Sequence, residues 1–120
     1  AITTSSLVSP PALDLAGGEV PIIVTVEYLI NPTRAEEFEA VMRDTRRSRL
    51  RQGAASWQLM RDIAQPQRYM ETFVNPSWTE HQRFLERFTA ADLELRRRRL
   101  AFLQGGEPPR IQRHVVALRG

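Results

Sequence analysis

The chain has 120 residues, a net charge of +3 and no cysteine. This length supports one domain with a short appendage, and the lack of cysteine excludes a disulfide scaffold, thiolate metal sites and cysteine nucleophiles. The longest apolar run lies within VPIIVTV, far below the roughly 18 residues that a membrane-spanning helix needs. No segment of this sequence is therefore expected to cross a bilayer.

Residues 1–19 combine serine, threonine, proline and glycine with scattered apolar residues. This composition is typical of a linker or an extended arm, and it lacks the basic start and apolar centre of a signal peptide. We therefore predict an arm over residues 1–19 and a folded domain over residues 20–120. Because the first residue is alanine, we also expect the chain to be an excised part of a longer protein.

The first folded segment is VPIIVTVEYLI, residues 20–30, which reads as a strand. Its even positions are all apolar (Ile22, Val24, Val26, Tyr28 and Ile30), whereas its odd positions mix apolar and polar residues (Ile23, Thr25, Glu27 and Leu29). Since successive strand residues point to opposite faces, this pattern predicts one buried and one mixed face.

A helix follows, because Asn31 and Pro32 give a cap and then proline in the first turn. Its predicted inner stripe is Ala35, Phe38, Val41, Met42 and Thr45, and Gly53 ends it. AASWQLMRDI and RYMETFVN then predict a hairpin around AQPQ. Ser77 and Glu80 predict a capping box for a helix from Trp78, Thr89 and Asp92 predict a second helix start, and RIQRHVVAL predicts a last strand.

The resulting order is strand, helix, strand, strand, helix, strand. This order predicts an α+β, ferredoxin-like split β-α-β sandwich, with a four-stranded antiparallel sheet and the helices on one face. The opposite face would then be half apolar, with Thr25, Glu27, Leu29, Gln58 and Met60, and with Tyr69, Glu71 and Phe73 from the third strand. We expect a second copy to cover this face and to enclose a cavity, which predicts a homodimer.

All 17 basic residues are arginines, clustered at RRSRLR and RRRR. Four consecutive helical arginines spread around the helix and cannot form one stripe for a nucleic-acid groove. Asp92 with Arg96 and Glu94 with Arg98 are spaced as helical ion pairs. We therefore interpret the clusters as solvated, partly paired faces, and we expect no nucleic-acid partner.

A resemblance to a known family rests on three segments, VTVEYLINPTRAEEF, RYMETF and NPSWTEHQRF. From Val20 onward the chain resembles the C-terminal domain of bacterial major-facilitator transporters called transmembrane secretion effectors, which include enterobactin-exporter relatives. The most specific part of this resemblance is the stretch from Trp78 to His81, which includes Glu80. The resemblance implies the antibiotic-biosynthesis-monooxygenase fold, a dimeric α/β barrel. It also implies a cytoplasmic position beside a membrane-embedded transporter portion of the same polypeptide.

The candidate cavity or ligand-binding residues are Glu27, Met60, Glu71, Phe73, Trp78 and His81. Glu27 and Glu71 lie on predicted neighbouring strands, so each could raise the pKa of the other and supply a base, or each could pair with Arg61, Arg68 or Arg113. We favour arginine pairing. His81 falls within the apolar stripe of its helix, which favours a core histidine bonded to a backbone carbonyl over a ligand or a base.

The sequence contains no convincing metal spacing, nucleotide-binding glycine loop or nucleophile paired with a base. We expect no cofactor, because the resemblance points to enzymes that work without a metal or a bound flavin. The leading hypothesis is a non-catalytic dimerisation, regulatory or ligand-sensing domain of an efflux transporter, with a small aromatic ligand as a candidate partner. The alternative is a cofactor-independent monooxygenase that oxidises a phenolic or quinol substrate.

Overall fold

A computed structural model describes residues 10–15 and 19–120. The strands are β1 Ile22–Leu29, β2 Ser56–Arg61, β3 Arg68–Asn75 and β4 Arg110–His114, and the helices are α1 Ala35–Arg51, α2 Trp78–Glu86 and α3 Ala90–Leu100. Short 3-10 turns at Pro32–Arg34 and Gln104–Gly106 precede α1 and β4. The last strand is therefore shorter than RIQRHVVAL predicted.

The four strands form one antiparallel sheet in the order β2-β3-β1-β4. The two long strands β1 and β3 occupy the centre, where Val26 is paired with Glu71 and Tyr28 with Tyr69. The helices pack on one face of this sheet. The predicted ferredoxin-like sandwich is confirmed, with the second predicted helix divided into α2 and α3.

The core lies between the sheet and the helices. It contains the even-numbered residues of β1 and an aromatic cluster in which the ring of Phe38 packs against Tyr28, Tyr69 and Phe102 at centroid distances of 5.0–5.7 Å. The inner stripe predicted for α1 is buried at Phe38, Val41, Met42 and Thr45. One turn further along the same stripe, Arg49 is also buried.

Side chains form caps at the positions where the sequence predicts helix starts. Asn31 accepts a hydrogen bond from the backbone of Thr33 and caps the 3-10 turn before α1, whereas α1 itself has no side-chain cap. Ser77 accepts a hydrogen bond from the backbone of Glu80 at the start of α2. At α3, Thr89 and Asp92 form the complete reciprocal box. At α2 only the Ser77 half forms, because the Glu80 carboxylate pairs with arginine side chains instead.

Gly53 ends α1 in a backbone conformation that disfavours other residues. Its φ of 114° is in the range where a side chain is strained, and an added Cβ would lie 2.7 Å from a guanidinium nitrogen of Arg87. The chain turns here into β2, as the sequence predicted.

The predicted faces of β3 were wrong. Tyr69, Glu71 and Phe73 lie on the helix-covered face and are buried, whereas Met70, Thr72 and Val74 lie on the open face. The register requires this, because Phe73 is paired with the inward-facing Val24. On β1 and β2 the predicted faces are confirmed.

The open face keeps a mixed character. Leu29 and Met60 are 39% and 42% exposed, and Glu27 forms a 3.1 Å ion pair with Arg68. The hydrogen bond from Arg68 lowers the pKa of Glu27 below its ordinary value, and the positive charge of Arg68 adds to this, although burial acts in the opposite direction. Glu27 therefore serves in an ion pair on this face.

Part of the predicted arm is described. Residues 10–15 lie along the domain, and Leu15 packs against the core. Residues 1–9 and 16–18 of the predicted arm lie outside the described residues, and the boundary at residue 20 stays a prediction. Within the described ranges no helix combines the length and apolar character needed to cross a membrane.

Candidate functional site

A cavity of about 300 Å³ lies between the sheet and the helices α2 and α3. Its walls are mainly apolar and include Val24, Val26, Phe73, Phe84, Phe88 and Ile111. Pro10 and Pro11 of the arm contribute to the wall as well. Such a largely apolar cavity with a few convergent polar groups is typical of a small-molecule site.

The polar groups of the wall are those of Tyr28, His81 and four arginines, namely Arg49, Arg96, Arg99 and Arg113. Among the described residues no carboxylate lines the cavity. The site therefore presents positive charge against an apolar background.

A buried ion pair lies at one wall of this cavity. Arg49 donates two hydrogen bonds to Glu71, from Nε to Oε2 at 2.8 Å and from Nη2 to Oε1 at 3.2 Å. The Tyr28 hydroxyl and the Trp57 indole N–H also donate to this carboxylate, each at 2.8 Å. Both oxygens of Glu71 are thus saturated, as a buried carboxylate requires.

The protonation state of Glu71 follows from these contacts. Burial alone raises the pKa of the Glu71 carboxyl, but the charge and hydrogen bonds of Arg49 outweigh it and bring the pKa down to about 2. Burial and the adjacent Glu71 charge raise the pKa of Tyr28 well above its ordinary value. Near neutral pH Glu71 is ionised and Tyr28 is protonated, so neither is poised to exchange a proton.

His81 borders the cavity and is 3% exposed. Its Nδ1 lies 2.7 Å from the Asn75 side-chain oxygen, and its Nε2 lies 3.3 Å from an Arg113 nitrogen. Since an amide oxygen only accepts and a guanidinium only donates, these contacts assign a neutral imidazole protonated on Nδ1, with Nε2 accepting from Arg113. Its partner is a side-chain amide rather than the backbone carbonyl we expected.

The environment makes His81 a weak base. Burial, followed by the positive charge of Arg113, lowers the pKa of His81 to about 4. A general base works best when its pKa lies near the working pH. His81 therefore supplies the cavity with a neutral, apolar-sided ring, which stacks on Phe84 at 6.2 Å.

The structure separates the predicted site residues into three groups. Phe73 and His81 line the cavity, and Glu71 lies behind the wall, bound to the lining residue Arg49. Trp78 borders a second, adjoining cavity of about 320 Å³ beside residues 10–15. Glu27 and Met60 lie on the opposite face of the sheet, so the prediction that Glu27 and Glu71 share a cavity was wrong.

The arginine clusters also differ from the prediction of solvated faces. Arg49 and Arg99 are buried, and the expected helical pairs form with other partners. Asp92 bonds to Arg51 of α1, and Glu94 pairs with Arg97. Helical periodicity was the signal for Arg49, because position 49 continues the apolar stripe one turn beyond Thr45. Nothing in the sequence pattern singled out Asn75.

Within the described ranges no group of three or more histidine, aspartate or glutamate side chains is arranged to hold a metal ion. The chemistry that the described site offers is accordingly that of cations, one neutral imidazole and apolar walls.

Comparisons with known proteins agree with this architecture and with the resemblance seen in the sequence. A sequence model of a family described as "Transmembrane secretion effector" matches residues 2–120. Among proteins with curated descriptions, none matches the chain significantly.

Three solved structures illustrate the likeness in fold. A Bordetella bronchiseptica protein assigned as an antibiotic biosynthesis monooxygenase is 26% identical, with a TM-score of 0.69 over 82% of this chain and 99% of its own. A Caulobacter crescentus protein with the same assignment is 19% identical, with a TM-score of 0.69 over 83% and 92%. SnoaB, a cofactor-independent oxygenase from Streptomyces nogalater, is 17% identical, with a TM-score of 0.62 over 84% and 95%.

Replacing Glu71 by glutamine tests the buried ion pair. Glu71→Gln should lower the free energy of unfolding by about 3–5 kcal/mol near neutral pH, because it leaves the Arg49 charge buried without a counter-charge. The Glu71 pKa is depressed from 4.5 to about 2, so its stabilisation is complete above about pH 4.5 and is lost as the pH falls toward 2. In urea unfolding, the difference in unfolding free energy between wild type and variant should become smaller as the pH falls from about 4.5 to about 2.

The matched control for this prediction is Glu94→Gln, which removes an exposed carboxylate paired with Arg97. It should leave the unfolding curve almost unchanged at every pH. A Glu71→Gln variant as stable as the wild type would show that the carboxylate is not held as described.

Replacing His81 by glutamine tests the assigned imidazole. His81→Gln should cost about 1–3 kcal/mol of unfolding free energy near neutral pH, the usual scale for disturbing a buried hydrogen-bonded group. The His81 pKa is depressed from 6.5 to about 4, so neutral His81 stabilises the fold fully above pH 6.5 and this contribution fades toward pH 4. Nitrogen NMR should show protonated Nδ1 in the wild type, and a protonated Nε2 with a bare Nδ1 would contradict the assignment.

Proposed function

Because the chain belongs to the transmembrane secretion effector family, we propose that it is a regulatory domain that binds a small ligand for a transporter of this family. The main support for this proposal is the cavity between the sheet and α2 and α3. It has apolar walls, arginine side chains and no lining carboxylate among the described residues. The ligand is a small molecule with an apolar body, in keeping with walls rich in phenylalanine and valine.

The charge state of the site supports binding rather than catalysis. Glu71 is ionised and saturated by Arg49, Tyr28 and Trp57. His81 has a pKa of about 4, and its Nε2 accepts from Arg113. Neither group is available as a proton acceptor near neutral pH, and general acid–base catalysis needs such a group.

The arm provides a physical route from the ligand to the rest of a transporter. Pro10 and Pro11 lie in the cavity wall, so a bound ligand contacts the arm directly. We place this domain at the cytoplasmic side, after the membrane-embedded portion of the same polypeptide. The ligand then acts by favouring one position of the arm over another, as differential binding requires.

We further propose that the domain forms a homodimer through the open sheet face. Leu29 and Met60 are partly exposed there, and Thr72 places a buried hydroxyl without a described hydrogen-bond partner on the same face. A second sheet packed on this face removes the apolar side chains from water. The cavity lies on the other side of the sheet, so dimerisation and ligand binding use separate surfaces.

The second candidate function is a cofactor-independent monooxygenase. The observation that favours it is the likeness in fold to SnoaB, together with a neutral imidazole in the cavity wall. Oxygen consumption by the domain with a quinol or an anthrone separates the two functions. We expect none, and turnover that is lost in His81→Gln would establish the enzyme instead.

Ligand binding is tested by filling the cavity. Leu100 lines it, and the next residue, Ala101, is exposed. Aromatic fragments of two fused rings, neutral and charged, should include binders of the wild type detectable by titration calorimetry. Leu100→Trp should weaken their binding by about tenfold or more, because the larger side chain occupies ligand space, whereas Ala101→Trp should not. Absence of binding by every fragment, or equal binding by both variants, would contradict the proposed function.

Dimerisation is tested by placing a charge on the open face. Light scattering at micromolar concentration should give twice the chain mass for the wild type. Met60→Glu should shift the equilibrium to monomer, because it buries an unpaired charge in the contact. Ile63→Glu, at a fully exposed position in the β2–β3 turn, should leave the dimer intact. A monomeric wild type, or dissociation by both variants, would contradict an interface on this face.

A further inference from the structure

The buried charges at the cavity do not balance. Arg49 and Arg99 are both buried beside it, and the only buried carboxylate described near them is Glu71. Glu71 gives both its oxygens to Arg49 in a two-bond ion pair. One positive charge of this pair of arginines is therefore left without a contacting counter-charge.

Arg99 carries that charge. It is 5% exposed, and no carboxylate of the described residues lies within 4 Å of its guanidinium. Its electrostatic neighbours are Arg49, which repels it, and Glu71, which attracts it without forming a direct ion pair. Its guanidinium also makes a hydrogen bond with the Tyr28 side chain, which is protonated near neutral pH and supplies no counter-charge. Burial and Arg49 together lower the pKa of Arg99, the signature of a cation in an unfavourable place.

The neighbouring arginines on α3 show that this arrangement is specific to the inner face of the helix. Arg97 is exposed and forms an ion pair with Glu94, and Arg98 approaches Asp44 at 3.9 Å. Arg96, three residues before Arg99, lines the same cavity. The helix thus pairs its outer arginines with carboxylates and directs Arg96 and Arg99 toward the ligand space.

We propose that the ligand of this cavity carries one anionic group, a carboxylate or a phenolate on an aromatic body, which binds the guanidinium of Arg99. This inference rests on the proposed function. A buried guanidinium retains its proton, so the stable way to neutralise it is an anion with matching geometry. An aromatic body fits the phenylalanine and valine walls, whereas a small inorganic anion would leave those walls without contact.

The test compares two ligands that differ only in charge. Naphthoate and naphthamide have the same ring system and the same number of non-hydrogen atoms, and only the first is anionic. Titration calorimetry on the full chain should show the wild type binding naphthoate about tenfold or more tightly than naphthamide, since charge-assisted hydrogen bonds exceed neutral ones by this order.

Variants of α3 locate the anion. Arg99→Gln should bring the two affinities together, Arg99→Lys should retain part of the preference, and Arg97→Gln, which alters an exposed surface arginine, should retain all of it. A circular dichroism melt confirms that each variant is folded. If Arg99→Gln does not fold, the comparison of the two ligands on the wild type still decides whether the cavity prefers an anion.

The possible outcomes separate this inference from the proposed function. Binding of neither ligand to the wild type would overturn both. Equal binding of both ligands would leave the cavity a binding site and overturn the anionic ligand. A preference for naphthoate that persists unchanged in Arg99→Gln would place the anion elsewhere and overturn the role of Arg99.

Discussion

Glu71 lies in the centre of the sheet on the face that the helices cover, so its carboxylate must be neutralised inside the protein. Among the described residues, Arg49 of α1 brings the guanidinium that bonds to it, and Tyr28 and Trp57 donate further hydrogen bonds to the same carboxylate. This ion pair joins α1 to three strands at once. Removing either partner would leave the other charge buried and unpaired. The resulting loss of stability is among the largest that a single substitution produces.

The same constraint shapes the cavity. Because both oxygens of Glu71 bond to Arg49, Glu71 forms no direct ion pair with Arg99, and the lining of the cavity keeps a net positive charge within apolar walls. His81 adds no charge, since Asn75 and Arg113 hold its ring as a neutral group. A cavity with these properties is suited to bind an anionic aromatic molecule and poorly suited to move protons, which is why we favour a regulatory role.

The location of the cavity is compatible with that regulatory role. It opens between the sheet and α2 and α3, where residues of the arm complete its wall, and it lies away from the open sheet face. In the function we propose, a ligand bound there changes the position of the arm without disturbing the proposed dimer. The second cavity beside Trp78 is bordered by residues 10–15 as well, so the described part of the arm contacts the domain over two adjoining hollows.

Much of the fold was predictable because local signals agreed with one another. The alternation in β1, the hairpin around AQPQ and the caps at Asn31, Ser77 and Thr89 each depend on a few neighbouring residues. The faces of β3 were not predictable in this way, because RYMETFVN places apolar residues on both. A one-residue shift in such a strand exchanges its faces without a clear penalty in the pattern.

The site was harder to predict than the fold for a related reason. Glu71 reads as a surface residue unless its partner is known, and Arg49 lies 22 positions away within a cluster that composition alone marks as solvated. His81 was correctly placed on the inner side of its helix by periodicity, but its neutral state depends on Asn75 and Arg113, which the sequence does not bring together. Buried polar pairs depend on tertiary contacts, which local sequence patterns indicate only indirectly.

The most direct test of this account is a crystal structure of the chain grown with naphthoate. We predict the aromatic body between the sheet and α2 and α3, the carboxylate on the guanidinium of Arg99, and the pair of Arg49 and Glu71 intact. A ligand whose carboxylate replaces Glu71 on Arg49, or one bound on the open face between two copies, would contradict the central claim that Glu71 is structural and Arg99 is the ligand-binding cation.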